Sequence, residues 1–140
     1  MITANTHFAL AVQALATLAL SEGPTSSTVL AQRLQTHPAF LRGVLGPLRE
    51  AQLITTRRGK AGGSVLARPA EEITLLDVYR VTDGAAEVAP HRCHGGPCPV
   101  ASGMPEVLAR LGQRLDAALA RELSAITVAD IVGWLGPLSP

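Results

Sequence analysis

Residues 91–99, His-Arg-Cys-His-Gly-Gly-Pro-Cys-Pro, hold both cysteines of the 140-residue chain and two of its four histidines. Thiolate and imidazole are the ligands of tetrahedral zinc and of mixed iron–sulfur sites. A thiolate beside a helix start is also the reactive form of a redox thiol. His91, Cys93, His94 and Cys98 could hold zinc within one loop, although the spacing is tighter than that of a standard zinc finger. Cys93 and Cys98 could instead form a disulfide, act as redox thiols, or serve no cofactor at all. These alternatives stay open at the level of residue types. A Cys–His hydrolase or oxidoreductase is not expected, because no third residue to orient the pair is evident. His37, just before Pro38, reads as a capping or phosphate-facing residue rather than a ligand.

A second group of residues with chemical potential is Arg57-Arg58-Gly59-Lys60-Ala61-Gly62-Gly63. Cations among glycines suit a polyanion, since glycine lets the backbone come close and each cation can displace a counterion. A nucleotide-binding enzyme loop would open a helix with a Lys-Ser/Thr pair. Here Gly62-Gly63-Ser64 enters a β-prone run instead. The net charge of +1 hides an asymmetry of the same sense. Residues 1–69 carry seven basic side chains (Arg33, Arg42, Arg49, Arg57, Arg58, Lys60, Arg68) against Glu22 and Glu50, giving +5. Residues 70–140 carry five basic and nine acidic side chains, giving −4. The plain alternative is a solvated basic turn.

The elements that must position these groups follow from periodicity. Apolar residues make up 47% of the chain and aromatic residues 3%, so the core has to be built from Leu, Ala and Val. Phe8, Val12, Leu15 and Leu18 predict a helix over 6–21, capped by Asn5 or Thr6 and stopped at Gly23-Pro24. Ser26 or Ser27 can cap a short second helix with Val29, Leu30 and Leu34 inward. Pro38 suits the first turn of a third, whose buried stripe is Leu41, Val44, Leu45 and Leu48. Pro47 should kink or shorten that helix. Two β-prone runs, Leu53–Thr56 and Ser64–Ala67, flank the basic glycine-rich tip as a hairpin. Thr74 and Asp77 form a capping box for a further helix ending at Gly84. The longest helix is expected from Pro105 to about Ser124, with a ridge of Leu108, Leu111, Leu115, Leu119 and Leu123. Thr127 and Asp130 cap a last helix that Gly136-Pro137 ends. No basic residue precedes Arg33, so a secretory signal is not expected, and the apolar run 8–20 is too short to span a bilayer. The expectation is a soluble cytoplasmic protein with no membrane partner.

Three short helices and then a hairpin is the order of a winged helix-turn-helix, with the third helix in the major groove and the hairpin as the wing. The expected fold is therefore mainly α with a small β-hairpin. A winged helix-turn-helix domain (1–84) is followed by a sensor-like loop (85–104) and by a segment (105–140) holding the long dimerisation helix and the C-terminal helix. The implied partners are double-stranded DNA, a second copy of the chain, and a small effector. The competing reading is a winged-helix protein–protein adaptor without DNA binding, to which Ala39 and Pro47 point.

The stretches GPTSSTVLAQRL, HPAFLRGVLGPLREAQLI, RRGKAGGSVLARPAEEITLLDVYRVTDG and LSAITVADIV resemble the bacterial Rrf-two transcription regulators. The resemblance covers nearly the whole chain, with 57–84 as its most specific part. It implies a homodimeric regulator, a repressor more often than an activator, on a palindromic operator. It also implies base readout at Ala39, Arg42 and Arg58 and backbone contacts at Arg49, Arg57, Lys60, Gly62 and Gly63. Ala39 could touch only a thymine methyl. Cluster-binding members carry three loop cysteines, whereas this chain has Cys93 and Cys98 and places Met104 where the third would fall. The resemblance is therefore to the branch without the triad, with no cofactor expected. An iron–sulfur cluster or zinc on His7, His91, Cys93, His94 and Cys98 remains the alternative, His7 matching a ligand position that some relatives supply across the dimer.

Overall fold

The computed structural model describes residues 6–82 and 98–137, and its elements follow the apolar spacing closely. Helix α1 (Thr6–Ala19) is the central element and packs against the third, fourth and last helices and the second strand of the hairpin. Its buried set, Leu10, Ala11, Ala14, Leu15, Ala16 and Leu18, is wider than a single stripe, as a helix covered on several sides requires. It stops two residues earlier than the periodicity suggests.

Helix α2 (Ser27–Arg33) is capped by Ser26, whose hydroxyl accepts from the Val29 N–H at 3.3 Å. Two turns can bury only a narrow face: Leu30 and Ala31 are enclosed and Leu34 is partly so, but Val29 is exposed, contrary to expectation. Helix α3 (Pro38–Glu50) buries Leu41, Val44, Leu45 and Leu48. It runs unshortened through Pro47, whose missing N–H leaves the Gly43 carbonyl without its helical donor.

Both helix ends that shape the motif carry a glutamine in the left-handed region, Gln35 at φ 50° and Gln52 at φ 59°. After α2, Gln35 N–H donates to the Gln32 carbonyl (3.2 Å) and Thr36 N–H to that of Ala31 (3.0 Å). After α3, Gln52 N–H donates to Arg49 (3.0 Å) and Leu53 N–H to Leu48 (2.9 Å). Each pair is a Schellman stop, and the second turns the chain into the hairpin.

Strands β1 (Ile54–Arg57) and β2 (Gly63–Leu66) pair antiparallel with Ile54 opposite Leu66 and Arg57 opposite Gly63. A 3-10 turn (Ala70–Glu72) leads to α4 (Leu75–Thr82), whose capping box closes as expected. Asp77 N–H donates to the Thr74 hydroxyl (3.2 Å), and Thr74 N–H donates to the Asp77 carboxylate (3.0 Å). Asp77 also meets Arg68 at 3.6 Å. Gly84, the expected stop of this helix, lies outside the described residues.

The long helix α5 spans Pro99–Ser124 and so starts six residues before Pro105. Residues 99–104, expected to end the loop, are its first turns, since Pro99 is as well placed at a helix start as Pro105. Helix α6 (Val128–Trp134), capped by the Thr127–Asp130 box, returns to the first domain. Leu75 N–H donates to Ile126 (2.8 Å) and Val128 N–H to Ile73 (2.9 Å), and Val128 joins the core of Leu15, Leu30, Leu41, Leu45, Leu48, Leu53, Ile54, Ile73 and Val78. Among the described residues, no helix is long and apolar enough to cross a membrane.

Candidate nucleic-acid interface

The leading turn of α3 is built by two local devices. His37 caps it, its Nδ1 accepting from the Ala39 N–H at 3.2 Å, and Pro38 fills the first position, where its missing N–H costs nothing. With Leu41, Val44, Leu45 and Leu48 turned into the core, Ala39, Arg42 and Arg49 are left on the exposed side. Arg42 and Arg49, seven residues apart, stand roughly 10 Å from each other along the axis.

The wing tip supplies the other cations. Arg57, Arg58 and Lys60 are all exposed around the five-residue loop that joins the strands. Gly62 N–H donates to the Gly59 carbonyl at 3.0 Å, closing the tip. Gly62 and Gly63 have structural reasons of their own. A Cβ on Gly62 would run into the Arg57 carbonyl, and one on Gly63, held at φ +150°, would collide with the Thr25 backbone. The second contact exists because Thr25 and Ser64 exchange hydrogen bonds, Thr25 N–H to the Ser64 carbonyl (3.0 Å) and Ser64 N–H to the Thr25 carbonyl (2.8 Å). Thr25 immediately precedes the cap of α2. The wing is thus tied to the helix-turn-helix by a rung that only glycine can accompany.

The expected readers Ala39, Arg42, Arg49, Arg57, Arg58 and Lys60 are all exposed, the first three on α3 and the others on the wing. None of these five cations is in an ion pair among the described residues, where Arg68, Arg110 and Arg121 make the pairs instead. Cations without such pairs leave a local positive field, with Glu50 the exposed acid next to Arg49.

Residue reasoning missed Phe40. It is exposed on the first turn of α3, and its ring lies 5.0 Å from that of His7, the planes at 48°. A bulky apolar residue off the buried stripe was the available signal. His7, a candidate ligand, is thus engaged with Phe40. Cys98 is exposed at the start of α5. No side-chain cap bond closes there, but the N–H groups of Ala101 and Val100 face its sulfur and hold the thiol below its ordinary range. His91, Cys93 and His94 lie outside the described residues, as does any pairing of Cys93 with Cys98.

The family model for Rrf2, described as an iron-dependent transcriptional regulator, matches residues 4–133. YwnA of Bacillus subtilis, an HTH-type transcriptional regulator by its name, is 30% identical over 94% of this chain and 98% of its own. Among solved structures, CymR, the global cysteine regulator of B. subtilis, superposes with a TM-score of 0.70 at 26% identity, covering 96% of this chain and 98% of that one. IscR of T. potens gives a TM-score of 0.71 at 25% identity, covering 96% and 91%. The described residues supply no iron site by themselves, since no three His, Cys, Asp or Glu side chains gather among them. With fold and comparisons in agreement, the chain belongs to the Rrf2 (Rrf-two) family: it is a DNA-binding transcription regulator and not an enzyme.

Proposed function

We propose that this regulator binds a palindromic operator as a homodimer and represses from it, in the cytoplasm. Arg42 and Arg58 reach base edges, while Arg49, Arg57 and Lys60 meet phosphates, with the Gly62–Gly63 backbone close behind. The observation that carries the reading is the set of five exposed cations on α3 and the wing that make no ion pair among the described residues. Dimerisation is supported by α5, which has no buried residue and exposes Val100, Met104, Val107, Leu111 and Leu115 along one stripe. Such a stripe in a single chain is the face of an interhelical seam. A dimer would present two recognition helices to half-sites about one DNA turn apart.

The experiment is an anisotropy titration on an operator selected from a random duplex library, run against random duplex over a range of salt. Arg58→Ala should lower the operator-to-random affinity ratio by about tenfold or more. Lys60→Ala should weaken both duplexes alike and flatten the salt slope by about two for a dimer. An Arg58→Ala protein indistinguishable from the unmodified one on both duplexes would sink the readout assignment.

We also propose that the segment 85–104, with Cys93 and Cys98, is where an effector acts. The reading assigns no resident cofactor. Anaerobic purification with a visible spectrum and metal analysis, then DNA titration before and after oxidant, separates it from an iron–sulfur cluster, from zinc and from a thiol switch. A coloured or metal-loaded protein overturns the cofactor-free reading.

A further inference from the structure

A cleft of about 630 Å³ opens at the root of the wing, where α3 ends and the hairpin starts and returns. Arg49, Gln52, Thr55 and Arg68 supply its polar walls, with Ile54 and Ala67 between them. Ile54 pairs with Leu66 at the end of the ladder away from the glycine-rich tip, roughly 10 Å along the strand from Arg57. No described Asp or Glu lines the cleft, and Glu50 beside Arg49 is not among its walls. Nor is the negative end of α3 bare there. The carbonyls of Pro47, Leu48 and Arg49 accept from the Ala51, Leu53 and Gln52 N–H groups at 3.0, 2.9 and 3.0 Å. The helix stop thus uses up acceptors that would repel an anion.

The two arginines differ in what they already hold. Arg49 is exposed and makes no ion pair among the described residues. Arg68 is partly buried and meets Asp77 loosely, at 3.6 Å, on the carboxylate oxygen that already accepts from the Thr74 N–H at 3.0 Å. Its Nε is buried and has no acceptor among the described residues. A guanidinium carries five N–H donors and no acceptor, and a buried donor left unmet is costly, so Arg68 has reason to turn toward an incoming oxygen. Two guanidinium groups, two neutral polar side chains and no acid fit an oxyanion, whose paired oxygens match the arginine fork. The volume is that of a small-molecule site rather than of a bare phosphate ion. We infer that this cleft binds a small-molecule oxyanion, a phosphate or carboxylate group carried on a larger frame, with its charged end on Arg49 and Arg68. Arg49 is also a proposed contact to DNA phosphate, so an occupied cleft competes with DNA for it. The site stands on its own geometry, and only the competition rests on the DNA-binding reading above.

The first arm of the test leaves DNA out. Inorganic pyrophosphate is titrated into the full-length, isotope-labelled protein at constant ionic strength while the arginine Nε–H signals are followed by NMR. The signals of Arg49 and Arg68, assigned from Arg49→Lys and Arg68→Lys, should move saturably, and those of Arg42, Arg57 and Arg58 should stay in place. Arg49→Gln alters an exposed side chain, and should keep the melting temperature while weakening pyrophosphate by about tenfold or more. Arg68→Lys keeps a charge for Asp77 but loses the fork, and should weaken it similarly. Shifts that are absent, or that grow linearly and alike on every arginine, overturn the site. In the second arm, pyrophosphate should lower operator affinity more than sodium chloride of equal ionic strength, and no more than the chloride does in Arg68→Lys. Equal effects of the two salts on the unmodified protein overturn the competition. A protein that ignores pyrophosphate, yet loses affinity for every duplex alike in Arg68→Lys, holds a DNA phosphate in the cleft, which overturns the small-molecule site. Failure of the DNA-binding reading looks different: no duplex binds, while pyrophosphate still saturates Arg49 and Arg68.

Discussion

The α3–wing surface and the α5 stripe are both left uncovered by a single copy of the chain, yet their chemistry is opposite. One presents Arg42, Arg49, Arg57, Arg58 and Lys60, none of them in an ion pair among the described residues, and the other presents Val100, Met104, Val107, Leu111 and Leu115. Their partners should respond oppositely to solvent. Screening weakens the first, since exposed charges lose reach as the Debye length shrinks. The second depends on removing apolar area from water and tolerates salt. Raising ionic strength should therefore strip DNA from the protein before it parts two copies of the chain.

The largest expected effect comes from breaking the apolar side alone. Leu111→Glu combined with Leu115→Glu places like charges in the seam. Sedimentation should show a monomer, and operator affinity should fall by 100-fold or more because the second half-site is lost (~3 kcal/mol). Preserved dimers in that variant would remove α5 from the interface.

Next is the support beneath the charged side. Gly63→Ala forces a side chain against the Thr25 backbone at a φ that L residues rarely adopt. We expect a cost of about 2–4 kcal/mol, read as a lower denaturant midpoint. A midpoint within experimental error of the unmodified protein would mean that the rung between Thr25 and Ser64 yields easily.

A smaller change of opposite sign should come from Gln52→Gly. It relieves a left-handed non-glycine residue at the α3–β1 joint without touching α5, and should stabilise the fold by roughly 1 kcal/mol. The smallest effect probes the start of α5. The Cys98 thiol is held below its ordinary range by the Ala101 and Val100 N–H groups. A depressed thiol is already thiolate at lower pH. In a Cys93→Ser background, the alkylation rate should therefore level off at lower pH than for a free cysteine peptide. A profile matching the peptide would remove the helix-start effect.

What could be read from sequence was what depends on neighbours three or four residues away. The capping boxes Thr74–Asp77 and Thr127–Asp130, the stripe of α3 and the glycine-rich turn between β1 and β2 are all of that kind. The five cations were legible too, because charge and glycine spacing need no tertiary partner. What escaped depends on chain segments far apart. Val128 reaches the core through the strand-like pairing of Thr74 with Thr127, which no periodicity announces. Ring packing of His7 on Phe40 joins residues of α1 and α3. Pro99 and Pro105 are equally sound helix starts by local rules, and the fold uses the earlier. Val29 reads as apolar but sits on the open side of a helix only two turns long.

The paired hydrogen bonds between Thr25 and Ser64 constrain how any signal can reach DNA. They hold the wing to the chain just before α2, so the wing and the start of the helix-turn-helix are fixed to one another. In the dimer proposed above, control would operate as a pair of calipers does, by changing the distance and angle between two jaws hinged on α5. An effector that stiffens or tilts that hinge would change which half-site spacing is tolerated, while leaving the bases each jaw prefers untouched.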